Sequence, residues 1–214
     1  MAQSIINYAV GTLVALFPIA NPIGVIPIFY SLTDKDSRCE RRQTAQRTTL
    51  NVVLILTIFL IGGRAVLEFF GISLNVLRIA GGLLVAHTGW EMLTSRKRLT
   101  DSEQQSAVEK EDISFTPMAT PLIAGPGAIG VVIGLATGMT QWSDYLGYLI
   151  GIVLFGGLLY GCLVLGESLL SILGLNGFGA INRVFGFFIL AIAVQLITDG
   201  MMSLFQSAAP NLFK

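Results

Sequence analysis

Apolar stretches of about twenty residues follow one another along almost the whole 214-residue chain. A helix needs roughly 20 apolar residues to cross the hydrocarbon core of a bilayer. By this measure six candidate spans cover residues 6–30, 48–68, 72–93, 115–138, 145–166 and 179–204. Because 53% of the residues are apolar and only 12% are charged, a single soluble globule of this size is excluded. The sequence therefore predicts an all-α membrane protein with six transmembrane helices.

One phrase occurs twice in these stretches. Ile19-Ala20-Asn21-Pro22 in the first stretch corresponds to Ile123-Ala124-Gly125-Pro126 in the fourth, at a spacing of 104 residues. Arg78 in the third stretch corresponds to Arg183 in the sixth, at a spacing of 105 residues. Three spans per half is an odd number, so the second half would enter the membrane in the opposite orientation. We therefore predict two inverted three-helix repeats, residues 1–100 and 115–214, joined by a hydrophilic linker at 101–114.

Both copies of the phrase lie among prolines and glycines, such as Pro22 and Gly24 in the first and Pro121 and Gly127 in the second. Each proline removes a backbone donor and clashes with the carbonyl four residues earlier, so we expect the first and fourth helices to be broken. Unwound backbone in hydrocarbon survives only where protein, water or a ligand satisfies its polar groups. Single kinks are common in membrane helices, but paired breaks at one repeat spacing indicate a binding site between the halves.

A broken helix exposes amide groups where one half begins and carbonyl groups where the other half ends. Amides attract a carboxylate, and carbonyls attract an ammonium group or a metal cation. Two antiparallel breaks therefore suit a zwitterionic amino acid, and the small residues around them favour a small one. The candidate substrate-binding residues are Ala20, Asn21, Pro22, Gly24, Thr116, Thr120, Pro121, Ala124, Gly125, Pro126 and Gly127.

These motifs carry a resemblance to a known family. Asn21-Pro22-Ile23-Gly24, the run from Thr120 to Gly127 and the Arg-x-x-Gly openings at Arg78 and Arg183 resemble the MarC family, over residues 6 to 205. That family is also described as small neutral amino acid transporters and is placed near the LysE group. The resemblance implies a six-span inner-membrane protein of a bacterium or archaeon that moves glycine, alanine, serine or similar molecules.

Basic residues are concentrated in two of the predicted loops. These loops hold nine of the thirteen Lys and Arg residues, namely Lys35, Arg38, Arg41, Arg42, Arg47, Arg96, Lys97, Arg98 and Lys110. Lys and Arg in short loops stay preferentially on the cytoplasmic side. Together with an even number of spans, this bias predicts a multi-pass inner-membrane protein with both termini outside the cytoplasm.

Three ionisable side chains fall well inside the predicted spans. Arg78 and Arg183 either reach the membrane interfaces and cap half-helices, or gate the two entrances to the site. His87 has no counterpart in the second half, and it is either a packed neutral side chain or a proton carrier. A coupling proton or sodium ion would depend on His87, or on carbonyl and hydroxyl groups.

Missing motifs disfavour several classes of function. The chain has no His-Glu-x-x-His, Cys-x-x-Cys or Gly-x-Ser-x-Gly, so we predict no enzyme, no cofactor and no metal site. A net charge of zero argues against nucleic acid, whereas the basic loop favours contact with membrane lipid headgroups. Secondary transport of a small neutral amino acid, by alternating access at a midplane site between the broken helices, is favoured. The alternatives are a channel or exporter for another small solute, and a non-transport membrane partner protein. The glycine-rich fifth span suits packing within the chain or a homo-oligomer.

Overall fold

A computed structural model describes residues 2–94, 112–137, 139 and 141–208. All regular secondary structure in these ranges is helical, as expected for an all-α membrane protein. The helices are α1 (Ala2–Ala20), α2 (Ile26–Leu32), α3 (Arg38–Phe70), α4 (Leu74–Leu93), α5 (Ser114–Ile123), α6 (Pro126–Thr137), α7 (Trp142–Gly174) and α8 (Gly177–Ser207). Most of the predicted linker, with the basic residues that follow residue 94, lies outside the described residues.

The prediction of six transmembrane helices is wrong. In the described residues four helices are long and apolar enough to cross a membrane, namely α1, α3, α7 and α8. The α5–α6 pair adds a fifth span only if its two helices, which meet at a 67° bend, count as one. Helix α4 is long enough but not apolar enough, because it carries Arg78, His87 and Glu91. An even number of spans is therefore no longer available as an argument that both termini lie on one side of the membrane.

The two halves of the chain have the same order of elements. A short pair of helices separated by a break comes first, α1–α2 in one half and α5–α6 in the other. A helix of 33 residues follows in each case, α3 and α7. Helices α4 and α8 complete the halves. The six-span prediction failed because it treated the bent α5–α6 pair and the polar helix α4 as full-length spans.

Local signals in the sequence set the ends of the long helices. Before α3, the Ser37 hydroxyl accepts from the Glu40 N–H, and the Ser37 N–H donates to the Glu40 carboxylate at 2.8 Å. This reciprocal pair satisfies donors that have no partner inside the helix. Helix α3 ends at Gly71, which has a φ of +64°, and α7 ends at Gly174, with a φ of +63°. Glycine adopts this left-handed conformation without the strain that a Cβ would cause.

Glycines allow α4 and α8 to lie almost backbone to backbone. A Cβ added at Gly89 would lie 2.9 Å from the Leu190 amide nitrogen and 3.0 Å from the Gly186 carbonyl oxygen. At the other end of the pair, a Cβ at Gly200 would lie 2.9 Å from the Asn75 carbonyl oxygen. The early part of α4 thus faces the late part of α8, so the two helices are antiparallel.

The long helices α3 and α7 are also antiparallel. Gly156 lies against Val53 near the middle of both helices, and Arg41 near the start of α3 pairs with Glu167 near the end of α7. Helix α1 runs parallel to α7, since Gly147 lies against Tyr8 and Gly151 against Thr12. Apolar side chains from these three helices and from α2 and α6 form the core, including Leu16, Phe29, Leu56, Val132, Phe155 and Leu159. The core thus combines the long helices α3 and α7 with parts of both broken pairs.

Candidate functional site

The first break, between α1 and α2, is held in shape by Asn21. Its backbone has a φ of +45°, and its side chain is only 2% exposed. The Asn21 side-chain oxygen accepts from the Gly24 N–H at 3.1 Å, and its amide nitrogen lies 3.4 Å from the Met92 sulfur. Asparagine tolerates the left-handed region better than other residues with a Cβ, and its short amide satisfies the freed backbone donor. In this structure Asn21 therefore organises the break.

The second break, between α5 and α6, takes a different form. The backbone is extended at Thr116 and Thr120, and both residues precede prolines through cis peptide bonds. Thr116 is exposed, whereas the Thr120 hydroxyl donates to the Ala124 carbonyl at 3.4 Å. A Cβ added at Gly125 would lie 2.5 Å from the Pro121 carbonyl oxygen. A side chain at Gly125 would thus displace the tight turn that leads into α6.

A cavity of about 220 Å³ lies beside this second break. It is bounded by α4 on one side and by the end of α5 and the start of α6 on the other. We call it the His87 cavity, and its lining residues are Ile19, Leu84, Val85, His87, Thr88, Glu91, Pro121, Leu122, Ile123, Gly125, Pro126, Gly127 and Ala128. Four of the predicted substrate-binding residues, Pro121, Gly125, Pro126 and Gly127, are therefore brought together here.

Two walls of the His87 cavity offer opposite charges. On one wall α6 begins at Pro126, and the first N–H groups of a helix have no partner within it and carry a partial positive charge. On the other wall His87 Nε2 lies 3.3 Å from a Glu91 carboxylate oxygen. The Glu91 side chain is 27% exposed, so its charge is partly shielded from solvent. This arrangement suits a small molecule with a carboxylate at one end and an ammonium group at the other.

A second cavity, of about 380 Å³, contains Arg78 in otherwise apolar surroundings. We call it the Arg78 cavity, and its lining residues are Val14, Ala15, Ile19, Leu77, Arg78, Gly81, Gly127, Gly130, Val131, Gly134, Leu135, Ile192 and Leu196. No acidic side chain is among them. Arg78 and Glu91 are thirteen residues apart on α4, or about 20 Å along the helix axis. The two cavities therefore lie at different depths along α4.

Ile19 and Gly127 line both cavities and separate them. A Cβ added at Gly127 would lie 2.7 Å from Val85 Cγ2 and 3.3 Å from Ile19 Cγ2. The separation is therefore a single layer formed by two aliphatic side chains and a bare glycine. Ile19 and Gly127 belong to the two copies of the repeated phrase and its continuation, so the structure brings the two breaks together at this layer.

The other predicted substrate-binding residues lie outside both cavities. Ala20, Asn21, Pro22 and Gly24 are buried in the first break, and Ala124 is buried in the second. Thr116 and Thr120 do not line either cavity. These residues form the backbone turns of the two breaks and do not contact the space of either cavity.

Arg78 and Arg183 lie at opposite ends of the α4–α8 pair. Arg78 is half-buried near the start of α4, where its Cβ faces Gly200 near the end of α8. Arg183 is exposed near the start of α8. Arg78 lines a cavity next to the breaks, whereas Arg183 lines neither of the two cavities.

Sequence reasoning missed two polar side chains at the site. Glu91 was not predicted as a site residue, although its position four residues after His87 on one helix was a signal that the two side chains meet. Asn182 was not considered; a Cβ at Gly24 would lie 2.7 Å from its side-chain oxygen. That oxygen is buried, and no donor in the described ranges reaches it. The signal available in the sequence was the amide side chain of Asn182 within a predicted apolar span.

Comparison with known proteins identifies the family. The model of the MarC family integral membrane proteins matches residues 6–205. The chain belongs to the MarC family. It is 37% identical to a UPF0056 membrane protein of Buchnera aphidicola from Schizaphis graminum, over 91% of this chain and 92% of that protein. It is 32% identical to the UPF0056 membrane protein YhcE of Escherichia coli K12, over 90% and 91% of the two chains.

Members of this family are found in distant organisms. MJ1677 of Methanocaldococcus jannaschii is 33% identical over 92% of this chain and 97% of its own length. The inner membrane protein MarC of Escherichia coli SMS-3-5 is 31% identical over 91% and 94% of the two chains. No solved structure matches the chain. The protein is thus an integral, multi-pass membrane protein of the MarC family.

Proposed function

We propose that this MarC family protein is a secondary transporter of small neutral amino acids, of the glycine, alanine and serine type. The observation that carries the proposal is the His87 cavity, where the start of α6 faces the Glu91 carboxylate. The carboxylate of the substrate would bind at the first N–H groups of α6, and its ammonium group would bind at Glu91. The substrate is moved unchanged, and no reaction is catalysed.

The size of the cavity supports a small substrate. Its volume of about 220 Å³ is below the roughly 300 to 1,000 Å³ that is typical of pockets for drug-sized ligands. At the break, Leu122 and Ile123 line this small volume together with proline, glycine and alanine residues. We therefore propose that amino acids with large side chains are excluded.

The thin layer at Ile19, Val85 and Gly127 supports alternating access. It separates two cavities that lie at different depths along α4, and it consists of the Ile19 and Val85 side chains and the Gly127 backbone. A small shift of α6 against α1 and α4 would open the layer toward the Arg78 cavity while closing the other side. The Glu91–His87 pair is the proposed point of proton coupling, because both groups can bind a proton beside the substrate.

The proposal includes a membrane location and an orientation. Relatives from Escherichia coli carry the name inner membrane protein, and we propose the inner, or plasma, membrane of a bacterium or archaeon for this chain as well. The charge bias of the loops supports a cytoplasmic position for the segment around Arg38 to Arg47. The glycine-rich helix α7 exposes Leu154 and Leu165, which are available to lipid or to a second copy of the chain.

The test is counterflow in proteoliposomes that contain the purified protein. We expect vesicles preloaded with alanine to accumulate labelled alanine in a saturable way, and Glu91→Gln to lower the rate at least tenfold. Glu68→Gln is the matched control, because Glu68 is an exposed carboxylate that pairs with Arg64 on α3, away from both cavities. Non-saturating flux without exchange would indicate a channel. If no small neutral amino acid moves under a proton or a sodium gradient, the proposed substrate class is wrong.

A further inference from the structure

A third cavity lies where the start of α3 meets the end of α7. Its volume is about 370 Å³, and we call it the Arg41 cavity. Three arginines, Arg38, Arg41 and Arg42, line it together with a single acidic residue, Glu167. None of its lining residues lines the His87 cavity or the Arg78 cavity. The cavity therefore has an excess of positive charge and is separate from the proposed transport route.

Arg41 is fixed in position at the base of this cavity. Its Nε donates to the Thr33 hydroxyl at 3.1 Å, and its Nη2 donates to the Thr33 carbonyl at 2.8 Å. The guanidinium carbon lies 4.7 Å above the centre of the Tyr30 ring, and the Tyr30 hydroxyl donates to the Leu163 carbonyl at 3.1 Å. The side chain is only 17% exposed. Its charge is thus held in place before any ligand arrives.

Glu167 neutralises the arginines only in part. One of its carboxylate oxygens accepts from Arg38 Nη2 at 3.4 Å, and the other lies 3.9 Å from Arg41 Nη1, which is too far for a hydrogen bond. In the part of the chain that the structure describes, Arg42 has no ion-pair partner. One carboxylate therefore faces three guanidinium groups, and two positive charges are left over.

The position of the cavity indicates what kind of anion would reach it. Arg38 is the first residue of a helix that can cross the membrane, and Glu167 is near the end of another. Leu163, Val164 and Leu165 form an apolar wall beside the arginines, and Leu165 is 60% exposed. Charge at the end of membrane helices with an apolar surface next to it matches a phospholipid, which has an anionic headgroup above acyl chains.

We propose that the Arg41 cavity binds the phosphate of an anionic phospholipid headgroup. Arg41 and its neighbours donate to the phosphate oxygens, and the acyl chains lie along the Leu165 side of α7. The lipid holds the start of α3 against the end of α7, because its phosphate balances the charge that Glu167 leaves uncompensated. On the loop orientation proposed above, this is the cytoplasmic leaflet.

The proposal is tested by thermal unfolding in nanodiscs of phosphatidylcholine with and without phosphatidylglycerol. We expect phosphatidylglycerol to raise the melting temperature of the wild-type protein, with a lipid affinity that falls roughly fivefold for each of Arg38→Gln and Arg42→Gln. These two side chains are exposed, so their loss leaves the Arg41 anchor intact. Arg47→Gln is the control, because Arg47 pairs with Asp112 and does not line the cavity.

A variant with the opposite expected effect separates lipid binding from simple structural support. Glu167→Gln removes the competing carboxylate and should tighten phosphatidylglycerol binding, even if it lowers stability in phosphatidylcholine alone. Equal loss of the phosphatidylglycerol effect in Arg47→Gln and in Arg42→Gln, or weaker binding in Glu167→Gln, would overturn the proposal. If inorganic phosphate at millimolar concentration gives the same stabilisation in phosphatidylcholine nanodiscs, the lipid is not the ligand.

Discussion

Asn21 has a structural role at the site and Glu91 supplies a charge there, although only Asn21 lies in the repeated phrase. Asn21 lies in the repeated phrase, but its side chain is buried and satisfies the backbone of the first break. Glu91 lies outside the phrase, yet its carboxylate lines the cavity with His87. A motif residue is therefore a structural residue here, and a side chain from another helix supplies the charge.

Replacement of Asn21 is expected to destabilise the protein, and alanine is expected to destabilise it more than glycine because the backbone at this position has a positive φ. Asn21→Ala removes the acceptor of the Gly24 N–H and leaves a Cβ at a φ of +45°, at a cost of about 1 to 2 kcal/mol. Asn21→Gly loses the same hydrogen bond but relaxes the backbone, so it should cost less. Thermal unfolding of the purified variants measures the difference. A glycine variant that is less stable than the alanine variant would contradict this account.

At the scale of elements, the polar helix α4 is placed by its contact with α8. Helix α4 carries three ionisable side chains and is not apolar enough to be recognised as a span, but glycines on both helices bring the two backbones close together. Small residues at such an interface increase the packing contacts that hold membrane helices together. This packing fixes Arg78 and Glu91 in the two cavities.

A methyl group in this interface is expected to push the helices apart. In Gly89→Ala the new Cβ meets backbone atoms of Leu190 and Gly186, which cannot move aside as a flexible side chain would. Overpacking of this kind costs about 1 to 3 kcal/mol. Gly62→Ala in α3 is the control, since a Cβ there has no neighbour within 4 Å. The two variants are compared by their melting temperatures in detergent, and equal values would show that the α4–α8 contact adjusts without cost.

At the scale of the whole molecule, two broken pairs meet in a frame of long helices. Helices α1, α3 and α7 pack side by side, and α4 packs against α8, so the breaks are enclosed by protein on several sides. Enclosure is what allows irregular backbone to exist at membrane depth. The cavities on either side of Ile19 and Gly127 are a result of this arrangement.

Filling the layer between the cavities is expected to block transport without unfolding the protein. In Gly127→Ala the methyl group would press on Val85 and Ile19, and the opening needed for passage would be smaller. We expect alanine exchange in proteoliposomes to fall at least tenfold. Gly157→Ala is the control, because Gly157 is an exposed glycine of α7 with no neighbour within 4 Å of an added Cβ. Full exchange by a well-folded Gly127→Ala would rule out passage through this layer.

The sequence by itself determined the membrane class, the family and the positions of the two breaks. Apolar stretches and prolines act locally, and no distant contact is needed to interpret them. The number of full spans could not be obtained in this way, because the 67° bend between α5 and α6 and the close packing of polar α4 against α8 depend on tertiary structure. The contact of Ile19 with Gly127 and the cluster of three arginines with Glu167 also depend on tertiary structure. These groups are far apart in sequence, and only the antiparallel and parallel packing of the helices brings them together.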